Sequence, residues 1–134
     1  YISNGFLNDL KILFNFDMDS KDLAVVILVG QPVLNSTLNL KNNEAIRQRI
    51  ITSYKVERMS MEESIKYVRG KLNGAGCMTE VFSEQALRAI SSYSAGNPRI
   101  ISRVCDMAMM IANNKGKTSI DEDVAMAAIN EVEL

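Results

Sequence analysis

The run Leu23-Ala24-Val25-Val26-Ile27-Leu28-Val29, closed by Gly30-Gln31-Pro32, governs how the rest of the chain is read. It holds seven apolar residues in succession and is rich in β-branched side chains. That is too short for an isolated helix. A run without apolar–polar alternation implies cover on both faces, as in a central strand of a parallel sheet. Pro32 has no N–H to donate and would end the ladder. A parallel strand needs neighbouring strands and covering helices. The other strand candidate, residues 50–56, is of mixed polarity. The expected sheet is therefore incomplete, with its other strands outside this sequence or in another chain.

On the N-terminal side, Phe6, Leu7, Leu10, Leu13 and Phe14 fall at helical spacing and predict a helix over residues 4–16. Residues 17–22 form a polar connector. Its Asp17, Asp19 and Asp22 lack the Gly and terminal Glu of a calcium loop, so they read as a solvated turn. After Pro32 a short helix is expected over residues 33–40. Asn42-Asn43 interrupts it, and a further turn or two covers residues 44–49.

From Ser60 the pattern is helical throughout. Ser60 and Glu63 have capping-box spacing, with Ile65, Val68 and Leu72 on one face and Gly74 and Gly76 at the end. Ser83 caps a second helix, Phe82 and Leu87 are spaced as a hydrophobic staple, and Gly96 stops it. Asn97-Pro98 opens a third helix with proline in its first turn. Ile101, Val104, Cys105, Ala108, Ile111 and Ala112 make its buried stripe. A fourth helix starts near Asp121, with Val124, Ala127, Ala128 and Val132 inward. Four helices with short connections make a small bundle.

Composition excludes several kinds of function. The chain has 134 residues, a net charge of −1, two cysteines and no histidine. No global field draws it to nucleic acid or membrane. Cys77 and Cys105 without histidine cannot make a standard four-ligand zinc site, and they read as reduced thiols of a cytosolic protein. Without histidine there is no Ser-His or Cys-His catalytic pair. No run reaches the ~18 apolar residues of a membrane span. The start at Tyr1-Ile2-Ser3 has neither an initiator Met nor a signal-peptide pattern, which points to a cut inside a longer protein.

Three motifs in order carry a resemblance. They are Leu28-Val29-Gly30-Gln31-Pro32-Val33-Leu34, then Arg47-Gln48-Arg49-Ile50, then Gly96-Asn97-Pro98-Arg99-Ile100-Ile101. Together they resemble AAA+ ATPases, in the branch that holds the ExeA-type general secretion pathway proteins and related transposition ATPases. The resemblance covers essentially the whole chain. It implies an α/β fragment followed by an all-α lid. Residues 1–56 would be the distal part of the P-loop core, with parallel strands in an incomplete sheet, and residues 57–134 the four-helix lid. No Gly-x-x-x-x-Gly-Lys-Ser/Thr loop occurs, and the acidic loop does not follow an apolar strand, so Walker A and Walker B are both missing.

The resemblance also implies roles for particular residues. Gln31 would be sensor 1, touching the γ-phosphate or orienting water; the plainer reading is a turn residue. Arg47 and Arg49 are arginine-finger candidates, with Arg49 preferred, acting on nucleotide in a neighbouring subunit; otherwise they are surface arginines. Arg99 would be sensor 2, with Pro98 beside it in the same nucleotide contact. Helix N-termini favour anions, and an arginine there works against the helix itself, which weakens a purely structural account. Arg103 lies one turn on, and an ion pair with Asp106 explains it more simply. Met107, Met109, Met110 and Met126 read as core filling, or in part as a partner patch. Lys115 and Lys117 read as a solvated turn around Gly116.

The complete protein is then expected to use ATP and Mg2+ and to form a ring or helical homo-oligomer in the cytoplasm. It would serve either an inner-membrane secretion partner or a transposase and DNA. This chain alone is expected to be inactive. The alternative is a helical adaptor that binds protein or nucleic acid without hydrolysing ATP.

Overall fold

The computed structural model describes residues 4–14 and 25–133. The connector expected at residues 17–22, the end of the first predicted helix and Leu23-Ala24 lie outside the described residues. The chain divides into two compact units, Tyr1–Lys55 and Val56–Leu134.

In the first unit, α1 (Asn4–Phe14), α2 (Val33–Leu38) and α3 (Glu44–Arg47) are joined by a 3₁₀ turn at Lys41–Asn43. Leu7, Leu10, Leu38 and Ile46 form its small core, with Leu28, Leu34 and Ile50 packed against it. Phe6, expected on the inward face of α1, is exposed.

The α/β expectation for this unit is corrected. Among the described residues there is no strand or sheet, and the only β pairing is a single bridge in the second unit. Val25 is 90% exposed, Ile27 79% and Val29 84%, and Ile51, Tyr54 and Val56 also face solvent. An uninterrupted apolar run shows that a strand would suit the residues. A strand exists only where another backbone completes its ladder. Among the described residues none pairs with residues 25–29 or 50–56. Of the stretch 25–29, Leu28 is the residue packed against the core.

The second unit is helical, as its pattern predicts: α4 (Met61–Gly74), α5 (Glu84–Ser94), α6 (Pro98–Asn114) and α7 (Glu122–Glu133). Each start is capped by the residue before it. At α4 the Glu63 N–H donates to Ser60 Oγ at 3.2 Å, and the Ser60 N–H donates to Glu63 Oε2 at 2.8 Å, completing the capping box. Ser83 Oγ accepts from the Ala86 N–H at 3.1 Å, Asn97 Oδ1 from Arg99 at 3.0 Å, and Asp121 Oδ1 from Val124 at 3.0 Å. Val68, Leu87, Ile90, Ile101, Val104 and Val124 meet in one core. In α7 the buried residues are Val124, Ala125, Ala128, Ile129 and Val132, and Ala127 is half-exposed.

A single parallel bridge joins the two long connections. The Ile120 N–H donates to Val81 O at 2.7 Å, and the Ser83 N–H donates to Ile120 O at 2.8 Å. Phe82 and Ile120 are thereby fixed in the core.

The two caps that carry a carboxylate make this unit sensitive to acid. The Ser60 backbone N–H, and after it the Ser60 hydroxyl, hold the Glu63 carboxyl below its ordinary value. The Lys117 ammonium, and then the Val124 N–H, do the same for Asp121. A depressed carboxylate stabilises the fold above its ordinary pKa and loses that contribution as pH falls through the folded value. The urea midpoint is therefore expected to fall on acidification from about pH 4.5. It should fall less steeply in Glu63→Gln and Asp121→Asn; equal slopes in the parent and both variants would show that the caps do not control it.

The thiols differ as well. Burial, with the neighbouring Asp106 charge, pushes Cys105 up to about 12. Cys77 is half-buried, near the carbonyl of Thr79 at 3.7 Å. The thiolate is the reacting species. A disulfide reagent at neutral pH is expected to label Cys77 alone in the folded chain and both thiols in denaturant; fast labelling of Cys105 would contradict its burial.

Candidate functional site

Gln31 and Pro32 lead into α2. The Gln31 carbonyl accepts from the Leu34 N–H at 2.8 Å, and Pro32 O accepts from Asn35 at 3.1 Å. The Gln31 side chain is exposed. Arg47 ends α3, exposed, with Nη1 donating to Asn39 Oδ1 at 3.4 Å. Arg49 is also exposed, and its backbone N–H donates to Ile46 O at 2.9 Å. These residues belong to the first unit, whereas Pro98 and Arg99 belong to the second.

Arg99 is the best-defined of them. Asn97 caps the helix, Pro98 takes its first position, and the Arg99 amide is the one the cap holds. Ile101 is buried and fixes the rotation of α6, while Arg99 remains exposed. Helices α4, α5 and α7 each carry an acidic residue in the first turn, and α6 carries none. The positive end of the α6 dipole thus stands beside an exposed guanidinium with no carboxylate in ion-pair reach among the described residues. Such an end favours an anion, and a guanidinium fork matches phosphate or carboxylate oxygens.

Other expectations are revised. Arg103 and Asp106 make no ion pair; the basic-then-acidic order along a helix is the weaker arrangement. Core filling holds for Met107, which packs on the core, whereas Met109, Met110 and Met126 are exposed. Lys117 pairs with Asp121 and so belongs to the turn before α7. Among the described residues no cluster of acids or cysteines is arranged to hold a metal ion, and no helix is long and apolar enough to cross a membrane.

Two features near the predicted residues are not marked in the sequence. Arg58 Nη1 lies 3.5 Å from Ala95 O, and the Met59 N–H donates to Gly96 O at 3.2 Å. Both contacts reach the turn just before Asn97. Elsewhere, a cleft of about 210 Å³ is lined by Val68, Leu72, Phe82 and Leu87, with Arg69 and Glu80. None of the predicted site residues lines it.

The chain is similar to general secretion pathway protein A of Aeromonas hydrophila. Identity is 35% over 125 residues, 92% of this chain. A second relative, the uncharacterised HTH-type transcriptional regulator MJ0774 of Methanocaldococcus jannaschii, is 30% identical over 112 residues, 81% of this chain. The chain spans about a quarter of each relative's own length, 23% and 27% respectively. No family model matches it, and no solved structure matches it significantly.

Proposed function

We propose that this chain is part of a secretion-type AAA+ ATPase, and that residues 57–134 act as the lid that reads the state of bound nucleotide. The observation that carries this is Arg99: an exposed arginine at the acid-free N-terminus of α6, in a chain similar over 92% of its length to a general secretion pathway protein. Arg99, with Pro98 beside it, contacts the terminal phosphate of ATP. Gln31 acts as sensor 1 in the same subunit. Arg49, or Arg47, serves as the finger toward nucleotide in the adjacent subunit of a homo-oligomer. Head-to-tail packing of that kind supplies one finger per neighbouring site. The phosphate-binding loop and the Mg2+ ligands come from residues outside this sequence. Hydrolysis then moves the lid and alters how subunits pack. The machine works at the cytoplasmic face of the inner membrane, with a secretion partner.

This reading requires that the 134-residue chain alone hydrolyse no ATP, since its sequence holds neither a Walker A nor a Walker B motif. The complete protein should hydrolyse ATP and lose that activity when residues 57–134 are deleted. Turnover by the isolated chain would overturn the proposal. So would a complete protein that neither binds nor hydrolyses ATP, an outcome that favours the helical-adaptor reading.

A further inference from the structure

The turn between α5 and α6 is built from two successive residues in left-handed conformation, Ala95 at φ 46° and Gly96 at φ 73°. A non-glycine residue there is unusual and costs energy, so the surrounding contacts must hold it. Those contacts come from the residues where the chain enters the helical unit. The Met59 N–H donates to Gly96 O, Arg58 donates to Ala95 O, and the Met59 side chain packs against the unit's core. The approach is tight. A Cβ built on Gly96 would lie 2.0 Å from Met59 O and 2.7 Å from Met59 N. Asn97 follows Gly96 directly and caps the Arg99 amide. Gly96 itself thus lies backbone to backbone against Met59, one residue before the Asn97 cap.

We propose that Met59 and Gly96 are positioning residues for Arg99. Their backbone contact couples the first turn of α6 to the entry segment of the helical unit, so that an anion drawn to Arg99 tightens the Met59 bond. This rests on Arg99 contacting nucleotide. It adds the route by which that contact reaches residues 56–60, which Val56 opens at the boundary between the two units.

The test is hydrogen–deuterium exchange on the complete protein, with and without a non-hydrolysable ATP analogue, in the parent and in Arg99→Ala. Nucleotide is expected to slow the Met59 amide about fivefold in the parent, because its local opening becomes less favourable. The Ile120 amide, bonded to Val81 O elsewhere in the unit, should be unchanged. In Arg99→Ala the Met59 effect should disappear. Equal slowing at Met59 and Ile120 would mean general stabilisation and would overturn the coupling. So would an unchanged Met59 amide in protein shown by equilibrium dialysis to bind the analogue; that result leaves the nucleotide reading standing. Absence of binding in the dialysis overturns the nucleotide reading, and the coupling with it.

Discussion

Replacing Gly96 by alanine is expected to cost more stability than the same change at Gly70, Gly74, Gly76 or Gly116, where an added Cβ would meet nothing within 4 Å. The new Cβ would sit 2.0 Å from Met59 O and 2.9 Å from Met59 C, where neither atom is the end of a flexible side chain. An L-residue at φ 73° also carries a left-handed penalty. Backbone displacement, that penalty and a weakened Met59–Gly96 hydrogen bond together place the loss at about 3–5 kcal/mol. For a unit of this size that lowers the thermal midpoint by roughly 15 °C or more. The adjacent substitution should have the opposite sign. Ala95 is exposed and already sits at φ 46°, so Ala95→Gly removes strain without opening a cavity. The gain is expected to be up to about 1 kcal/mol, limited by the greater freedom of glycine in the unfolded chain. Melting the 134-residue chain and both variants by circular dichroism checks the pair. A Gly96→Ala midpoint within about 2 °C of the parent would show that Met59 does not pack as closely as described.

Much of the helical unit is legible in the sequence because its signals are local. Ser60 and Glu63, Ser83, Asn97-Pro98 and Asp121 each mark a helix start within four residues, and every one of these caps forms. Errors arise where the deciding partner is remote in sequence. The stretch 25–29 has the composition of a buried strand, but strand formation depends on a second backbone, and none supplies it among the described residues. In α7 the choice between Ala125 and Ala127 as the inward residue depends on how the helix turns against its neighbours, and alanine spacing alone does not set that. Met109, Met110 and Met126 read as core by type and are surface by position. Arg99 itself is marked locally, by the cap and proline before it. The approach of Met59 to Gly96 joins residues 37 positions apart and has no local sign beyond the glycine.

Arg99→Ala separates a functional arginine from a structural one, because the two accounts predict different signs for stability. The side chain is exposed and meets no carboxylate among the described residues, so its loss forfeits little packing. Removing a positive charge from the positive end of α6 should leave stability unchanged or raise it by about 0.3–1 kcal/mol. If Arg99 holds the terminal phosphate, the same change removes a charge-stabilising donor from the reacting group. Loss of one such donor lowers turnover by about 10²–10³-fold. The complete protein carrying Arg99→Ala is therefore expected to melt at or above the parent temperature while its kcat for ATP falls about a hundredfold. Arg99→Lys keeps the charge but not the two-pronged geometry, and should fall between the two. An Arg99→Ala protein that loses stability and activity in proportion would make the arginine part of the fold. Unchanged kcat would remove it from the nucleotide site, and the acid-free start of α6 would then need another anion to explain it.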